Sequence, residues 1–188
     1  MSVYSFRKII SDSYRVLLAG VSIGLAAGYL LNVLQDIYAA RTVAIILAMV
    51  PPINGIGGNI GSILGARLSS ALHLGTISPE LRGQGVLGVN LTASTLLGLV
   101  VYTFTGGLFF ASSLFTGSTF LESLRIFVIF LGAGVILVGV VTFTSLTSAF
   151  FSYRRGTDPD NVVIPIVTTV VDVTGVASLL IMVTIIGV

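Results

Sequence analysis

The sequence predicts an all-α integral membrane protein with five transmembrane helices. Of its 188 residues, 55 % are hydrophobic and only 9 % are charged, whereas a soluble domain carries about 25 % charged residues. Nine Lys/Arg and seven Asp/Glu residues are too few to cover a water-exposed surface of this size. The apolar runs are also long and lack the period-two alternation of barrel strands, which favours helices over a β-barrel.

The five helices follow from the stretches without charge, since a spanning helix needs about 20 mostly apolar residues. These stretches predict helices near residues 15–35, 42–72, 84–110, 124–152 and 160–187. The third stretch is too long for one span, and its Ser-, Thr- and Gly-rich part, residues 111–120, predicts a loop. Asp158 followed by Pro159 is a typical N-cap and first helical residue, and it marks the start of the fifth helix.

The distribution of basic residues predicts the orientation. With five spans the two chain ends lie on opposite sides of the membrane. One side carries seven basic residues: Arg7, Lys8, Arg15, Arg67, Arg82, Arg154 and Arg155. The other side carries only Arg41 and Arg125. The positive-inside rule therefore places the N-terminus in the cytoplasm and the C-terminus outside. Residues 1–188 form a single transmembrane domain, and no polar stretch is long enough for a cytosolic sensor.

Composition excludes several classes of function. The chain has no Cys and one His, so disulfides, thiolate metal sites and His-cluster sites are not expected. A net charge of +2 is too small to indicate a nucleic-acid partner. No Walker-type phosphate loop occurs. An intramembrane hydrolase is also disfavoured, because the spans hold a single acid and His73 lies at a helix end. We therefore expect a transporter or a scaffold rather than an enzyme.

Asp172 is the only acidic residue in the interior of a predicted span, away from its ends. An ionised group there costs at least about 2.5–3.5 kcal/mol, which favours a cation or proton site over a purely structural hydrogen bond. Thr168 and Thr169, four and three residues earlier, add oxygens on the same face. One carboxylate is a weak site for a divalent cation, but a two-fold axis along helix 5 would pair two of them. Mg²⁺ keeps several waters and meets one or two carboxylates, so a paired site suits it.

Residues 51–62 form a second unusual segment, rich in Pro, Gly and Asn. Two glycines of this segment and one after it are spaced four residues apart and predict a ridge for close helix packing: Gly57, Gly61 and Gly65. Asn54 and Asn59 are costly in lipid unless they are satisfied. Asn59 is interpreted as a polar lining beside the helix of Asp172. For Asn54 a polar lining and a structural hydrogen bond stay equally open.

These two segments resemble a known family. Residues 50–61 resemble the P-x-x-x-G-x-G-G-N-x-G signature of MgtE-type magnesium transporters, and residues 66–75 look closer to the related solute carrier 41 branch. Residues 158–172 are similar to the last membrane helix of both branches. The two motifs are long and occur in the expected order, so the resemblance is fairly specific.

The resemblance implies a dimeric five-helix domain of the cell membrane in which helices 2 and 5 line a cation pore. The acid that holds hydrated Mg²⁺ maps onto Asp172, and the residue one turn earlier onto Thr168. The asparagine of the motif, which is implicated in the ion path, maps onto Asn59. Gly55 and Gly58 are the candidates for binding the ion through their backbone carbonyl oxygens. Divalent cations and the lipid bilayer are then the partners, and Mg²⁺ is the transported ion.

Departures from the family pattern leave several alternatives open. Ile63 stands where the bacterial motif has Gln, and Gly61 stands where the solute carrier 41 branch has Glu. The chain resembles one half of a eukaryotic member, so either a homodimer or a heterodimer with a related half would complete the pore. A channel, a Na⁺-coupled Mg²⁺ exchanger and a non-transporting scaffold subunit are the competing functions.

Overall fold

The computed structural model describes residues 14, 18–25, 27–29, 31–32, 40–81 and 83–187. Its helices are α1 (Leu18–Tyr29), α2 (Ala40–His73), α3 (Gly85–Phe115), α4 (Phe120–Arg154) and α5 (Pro159–Ile186). No strand occurs among the described residues, which confirms the all-α prediction. Each of α2 to α5 is long and apolar enough to cross a membrane. The described part of α1 is shorter, and residues 15–17 and 33–35 of the predicted first span lie outside the described residues.

Two helix starts show local capping. Thr119 precedes α4, where its hydroxyl accepts from the Glu122 N–H (3.3 Å) and its own N–H donates to the Glu122 carboxylate (2.8 Å). This reciprocal pair satisfies two amide groups that the first helical turn leaves free. Asp158 precedes α5 and accepts from the Asp160 N–H (3.1 Å), with Pro159 as the first helical residue. The start of α5 therefore confirms the prediction from the Asp-Pro pair.

The loop predicted over residues 111–120 is wrong in most of its length. Helix α3 continues through Phe115, and the connection to α4 is only Thr116 to Thr119. The hydroxyl groups in this segment bond to nearby carbonyls of their own helix, Ser112 to Phe109 (3.1 Å) and Thr116 to Ser113 (2.9 Å). Because the Ser and Thr hydroxyl groups form their hydrogen bonds in this way, these residues do not end a helix in an apolar environment.

Small residues allow the long helices to approach closely. Helix α2 packs against α3, α4 and α5, and α4 also packs against α3 and α5. A Cβ atom at Gly61 would overlap Val167 of α5, and one at Gly65 would lie 2.6 Å from Val163 of the same helix. A Cβ at Gly57 would lie 2.7 Å from Leu137 of α4. The predicted packing ridge on α2 is confirmed, and two of its three glycines face α5.

Candidate ion-binding strip on α2 and α5

Asp172 lies at the midpoint of α5 with an exposed side chain. The Asn54 amide group of α2 donates to its Oδ1 (3.4 Å) and lies 3.5 Å from its backbone oxygen. Among the described residues, no basic side chain forms an ion pair with this carboxylate, and no cluster of three or more acidic, His or Cys residues surrounds it. Within this chain the carboxylate therefore has a single polar neighbour and an uncompensated charge.

The contact of Asn54 with Asp172 depends on a glycine one turn further along α5. A Cβ atom at Gly175 would overlap the side-chain oxygen of Asn54. That oxygen is buried and accepts no hydrogen bond. A buried amide oxygen without a donor is unfavourable, so the packing of α2 on α5 holds Asn54 here at a cost. Of the two interpretations left open for Asn54, the structure of the chain shows the hydrogen bond.

Further residues of α2 and α5 are exposed near the contact between Asn54 and Asp172. On α5, Thr168 precedes Asp172 by four residues and is exposed on the same face. On α2, Gly55 and Asn59 are also exposed and four residues apart. We call these four residues, Gly55, Asn59, Thr168 and Asp172, the polar strip. Gly58 lies beneath it, buried, where a Cβ atom would approach the Thr168 methyl group to 3.7 Å.

The two threonines predicted to flank Asp172 point to different places. The Thr168 hydroxyl donates to the Ile164 carbonyl (3.0 Å) and lies 3.1 Å from the Pro165 carbonyl. Its oxygen keeps lone pairs that can face water or a hydrated cation. Thr169 is half-buried, and its hydroxyl lies 2.7 Å from the place of a Cβ atom on Gly20 of α1. The structure thus places Thr168 on the strip with Asp172 and Thr169 against α1.

The family follows from the sequence of this same region. The sequence model of a family described as "MgtE: Divalent cation transporter" matches residues 50–182, which include every residue of the polar strip. The chain belongs to the MgtE divalent cation transporter family. This membership and the four long apolar helices confirm the prediction of a multi-pass integral membrane protein of the cell membrane.

Relatives of this MgtE-family chain carry solute carrier names. Solute carrier family 41 member 2 of Macaca fascicularis is 33 % identical over 148 residues, which cover 71 % of this chain and 25 % of the relative. The Homo sapiens member 2 has the same identity and coverage. Member 3 of Rattus norvegicus is 25 % identical over 181 residues, which cover 89 % of this chain and 36 % of the relative. The chain thus spans about a quarter to a third of the curated relatives' length. No solved structure matches it.

In this MgtE-family domain, one residue of α3 reaches the glycine-rich turn of α2. Tyr102 is fully buried, and its hydroxyl donates to the Ile53 carbonyl (2.9 Å), while the Gly57 N–H lies beside the tyrosine hydroxyl oxygen. A polar group inserted between these two positions loosens the helical hydrogen-bond ladder locally. Nothing in the sequence points to this contact, because no local pattern shows which helix a tyrosine hydroxyl meets.

Proposed function

We propose that this MgtE-family domain moves Mg²⁺ across the cell membrane through a pore on the two-fold axis of a dimer, with the polar strips of both protomers facing the axis. The exposed carboxylate of Asp172 at the middle of a spanning helix supports this most directly. Lipid solvates such a group poorly. A second copy covering the strip would remove the carboxylate from lipid and leave a polar path between the protomers.

The chemistry of the strip suits a hydrated divalent cation. Two Asp172 carboxylates would supply the charge, and two Thr168 hydroxyls and two Asn59 amides would supply further oxygens. Mg²⁺ holds its water shell tightly and usually meets one or two carboxylates. The proposed ion therefore keeps its waters, which donate to the carboxylates and to the backbone carbonyls of Gly55 and Gly58. Thr169 serves as packing against α1 and not as a ligand in this proposal.

Basic residues support the orientation that we propose for this pore. Arg154 and Arg155 lie at the same end of the bundle as Arg67 of α2, because α2 and α4 both end there. The positive-inside rule places this end in the cytoplasm. The start of α5, with Asp158 and Asp160, would then lie at the cytoplasmic mouth, where two acids raise the local cation concentration.

Transport itself is tested with the purified chain in liposomes that enclose a Mg²⁺-sensitive dye. We expect Mg²⁺ influx well above that of protein-free liposomes. Repeating the assay with and without an opposing Na⁺ gradient separates a channel from a Na⁺-coupled exchanger, since only the exchanger responds to Na⁺. An absence of flux in both arms from a folded, reconstituted protein would contradict transport and favour the scaffold function.

The dimer is tested by cysteine cross-linking, for which the natural absence of Cys is convenient. We expect Thr168→Cys to be joined into a covalent dimer in membranes by a short bismaleimide reagent, because the two strips face each other across the path of a hydrated ion. Thr147→Cys is the matched control: Thr147 is also an exposed helical threonine bonded to a carbonyl four residues earlier (2.8 Å), but it lies on α4. Equal cross-linking of the two variants, or none from Thr168→Cys, would argue against the proposed axis.

A further inference from the structure

A cavity of about 440 Å³ lies at the basic end of the bundle, between the end of α2 and the start of α3. Its polar lining residues are Arg67, Ser70, Thr76 and Asn90. Ala66 and Leu74 are among its apolar lining residues. The polar strip shares none of these residues. The cavity is therefore separate from the proposed ion path, although α2 contributes to both.

The polar side of the cavity is rich in donors and contains no acid. Arg67 is exposed, and among the described residues it has no ion-pair partner. Asn90 uses one N–H of its amide group on the Val86 carbonyl (2.9 Å) and keeps a second. The Ser70 hydroxyl lies one turn after Arg67. A guanidinium with hydroxyl and amide donors around it suits an anion with several oxygens, and phosphate oxygens match the planar guanidinium in pairs.

The level of the cavity along the membrane normal indicates where this anion comes from. Arg67 lies six residues before the end of α2, which is about 9 Å along the helix axis. An arginine this close to the end of a spanning helix extends its charged group to the level of the lipid headgroups. Ala66 lines the cavity on the side towards the middle of the membrane, and the exposed Ile63 continues this apolar surface one turn before Arg67 on α2. Charge and apolar surface together match an amphipathic ligand better than a free ion.

We propose that this cavity binds the phosphodiester group of a membrane phospholipid, with the Arg67 guanidinium as its main contact. One arginine balances the single negative charge of a phosphodiester. The acyl chains would continue past Ala66 and Ile63 towards the middle of the membrane. Basic pockets between transmembrane helices on the cytoplasmic side are known to bind lipid headgroups in this way. The site is independent of the proposed Mg²⁺ path, so either can fail without the other.

Native mass spectrometry of the full chain in mild detergent with added phosphatidylglycerol tests the site. We expect Arg67→Gln to lower the bound lipid about tenfold, the loss expected when a charge-assisted hydrogen bond is removed. Arg155→Gln is the matched control, because Arg155 is exposed at the same end and lies over the Phe151 ring outside the cavity. It should bind as the wild type does.

A second variant keeps the test valid if Arg67→Gln folds poorly. Ser70→Leu removes a hydroxyl donor and narrows the cavity beside the arginine, which stays in place, and we expect it to weaken lipid binding as well. Diacylglycerol, which lacks the phosphate, should not bind. Equal lipid binding by wild type and Arg67→Gln would overturn the proposal, as would an equal loss in Arg155→Gln. Displacement of the lipid by millimolar inorganic phosphate would show a free-anion site instead.

Discussion

Replacing Asp172 with asparagine should lower Mg²⁺ flux into proteoliposomes at least about tenfold, since each 1.4 kcal/mol of lost ion stabilisation is a factor of ten. The substitution removes the charge and keeps the shape of the side chain, and its amide oxygen still accepts from Asn54. Because the dimer would contribute two copies of Asp172, the substitution would remove two negative charges from one ion site.

The matched control for this experiment is Asp160→Asn. Asp160 is an exposed acid on the same helix, but it lies in the first turn and away from the middle of the span. We expect its flux to fall by no more than about twofold, because a charge at the pore mouth acts only through the local cation concentration and is screened by water and salt. Cross-linking through Thr168→Cys in the Asp172→Asn background reports whether the dimer still forms. Wild-type flux from a dimeric Asp172→Asn variant would rule out Asp172 as the ion site.

Replacing Gly61 with alanine should destabilise the protein by about 1–3 kcal/mol, the usual cost of overpacking. The added Cβ would overlap Val167 of α5 and lie 2.8 Å from Val141 of α4. Both neighbours are β-branched and have restricted side-chain rotamers, so α2 must move away from them. The Ser145 hydroxyl, which donates to the Gly61 carbonyl (3.2 Å), would lose its partner as α2 moves.

Gly139→Ala is the control for this packing prediction. Gly139 also lies within a long helix, but it is exposed and a Cβ atom there has no neighbour within 4 Å. Alanine is favoured over glycine in a helix by about 0.5–1 kcal/mol, so this variant should be equal to or more stable than wild type. Thermal unfolding in detergent, followed by far-ultraviolet circular dichroism, compares the two. Similar melting temperatures for both variants would contradict the close approach of α2 and α5.

The positions of the helices could be predicted because the unfavourable free energy of placing charged side chains in lipid depends only on the local sequence of each segment. The stretches without charge locate α2 to α5 to within a few residues at most ends. The exception is the end of α3, where hydroxyl residues suggested a loop and instead bond to their own helix. Composition alone does not distinguish these two uses of Ser and Thr, because the difference lies in whether the neighbouring carbonyls are available.

The candidate site was predicted only in part. Asp172 stands out in any hydropathy profile, and the structure leaves it exposed in the middle of α5. The two asparagines of α2 are harder to assign, since five residues correspond to about 140° of rotation around a helix. Asn54 faces α5 and Asn59 faces outward. The direction of each depends on how α2 crosses α5, which the packing of Gly61 and Gly65 decides.

By itself, the sequence determined that this chain spans a membrane, where its helices lie and which single acid is out of place. These properties depend on the local balance of apolar and charged groups, and lipid makes that balance decisive. Only the tertiary structure decided which polar groups meet. It brought Asn54 to Asp172, turned Thr169 towards α1 and placed the Tyr102 hydroxyl on the Ile53 carbonyl. Asn54 and Asp172 lie 118 positions apart, so such contacts depend on helix packing and leave no local pattern in the chain.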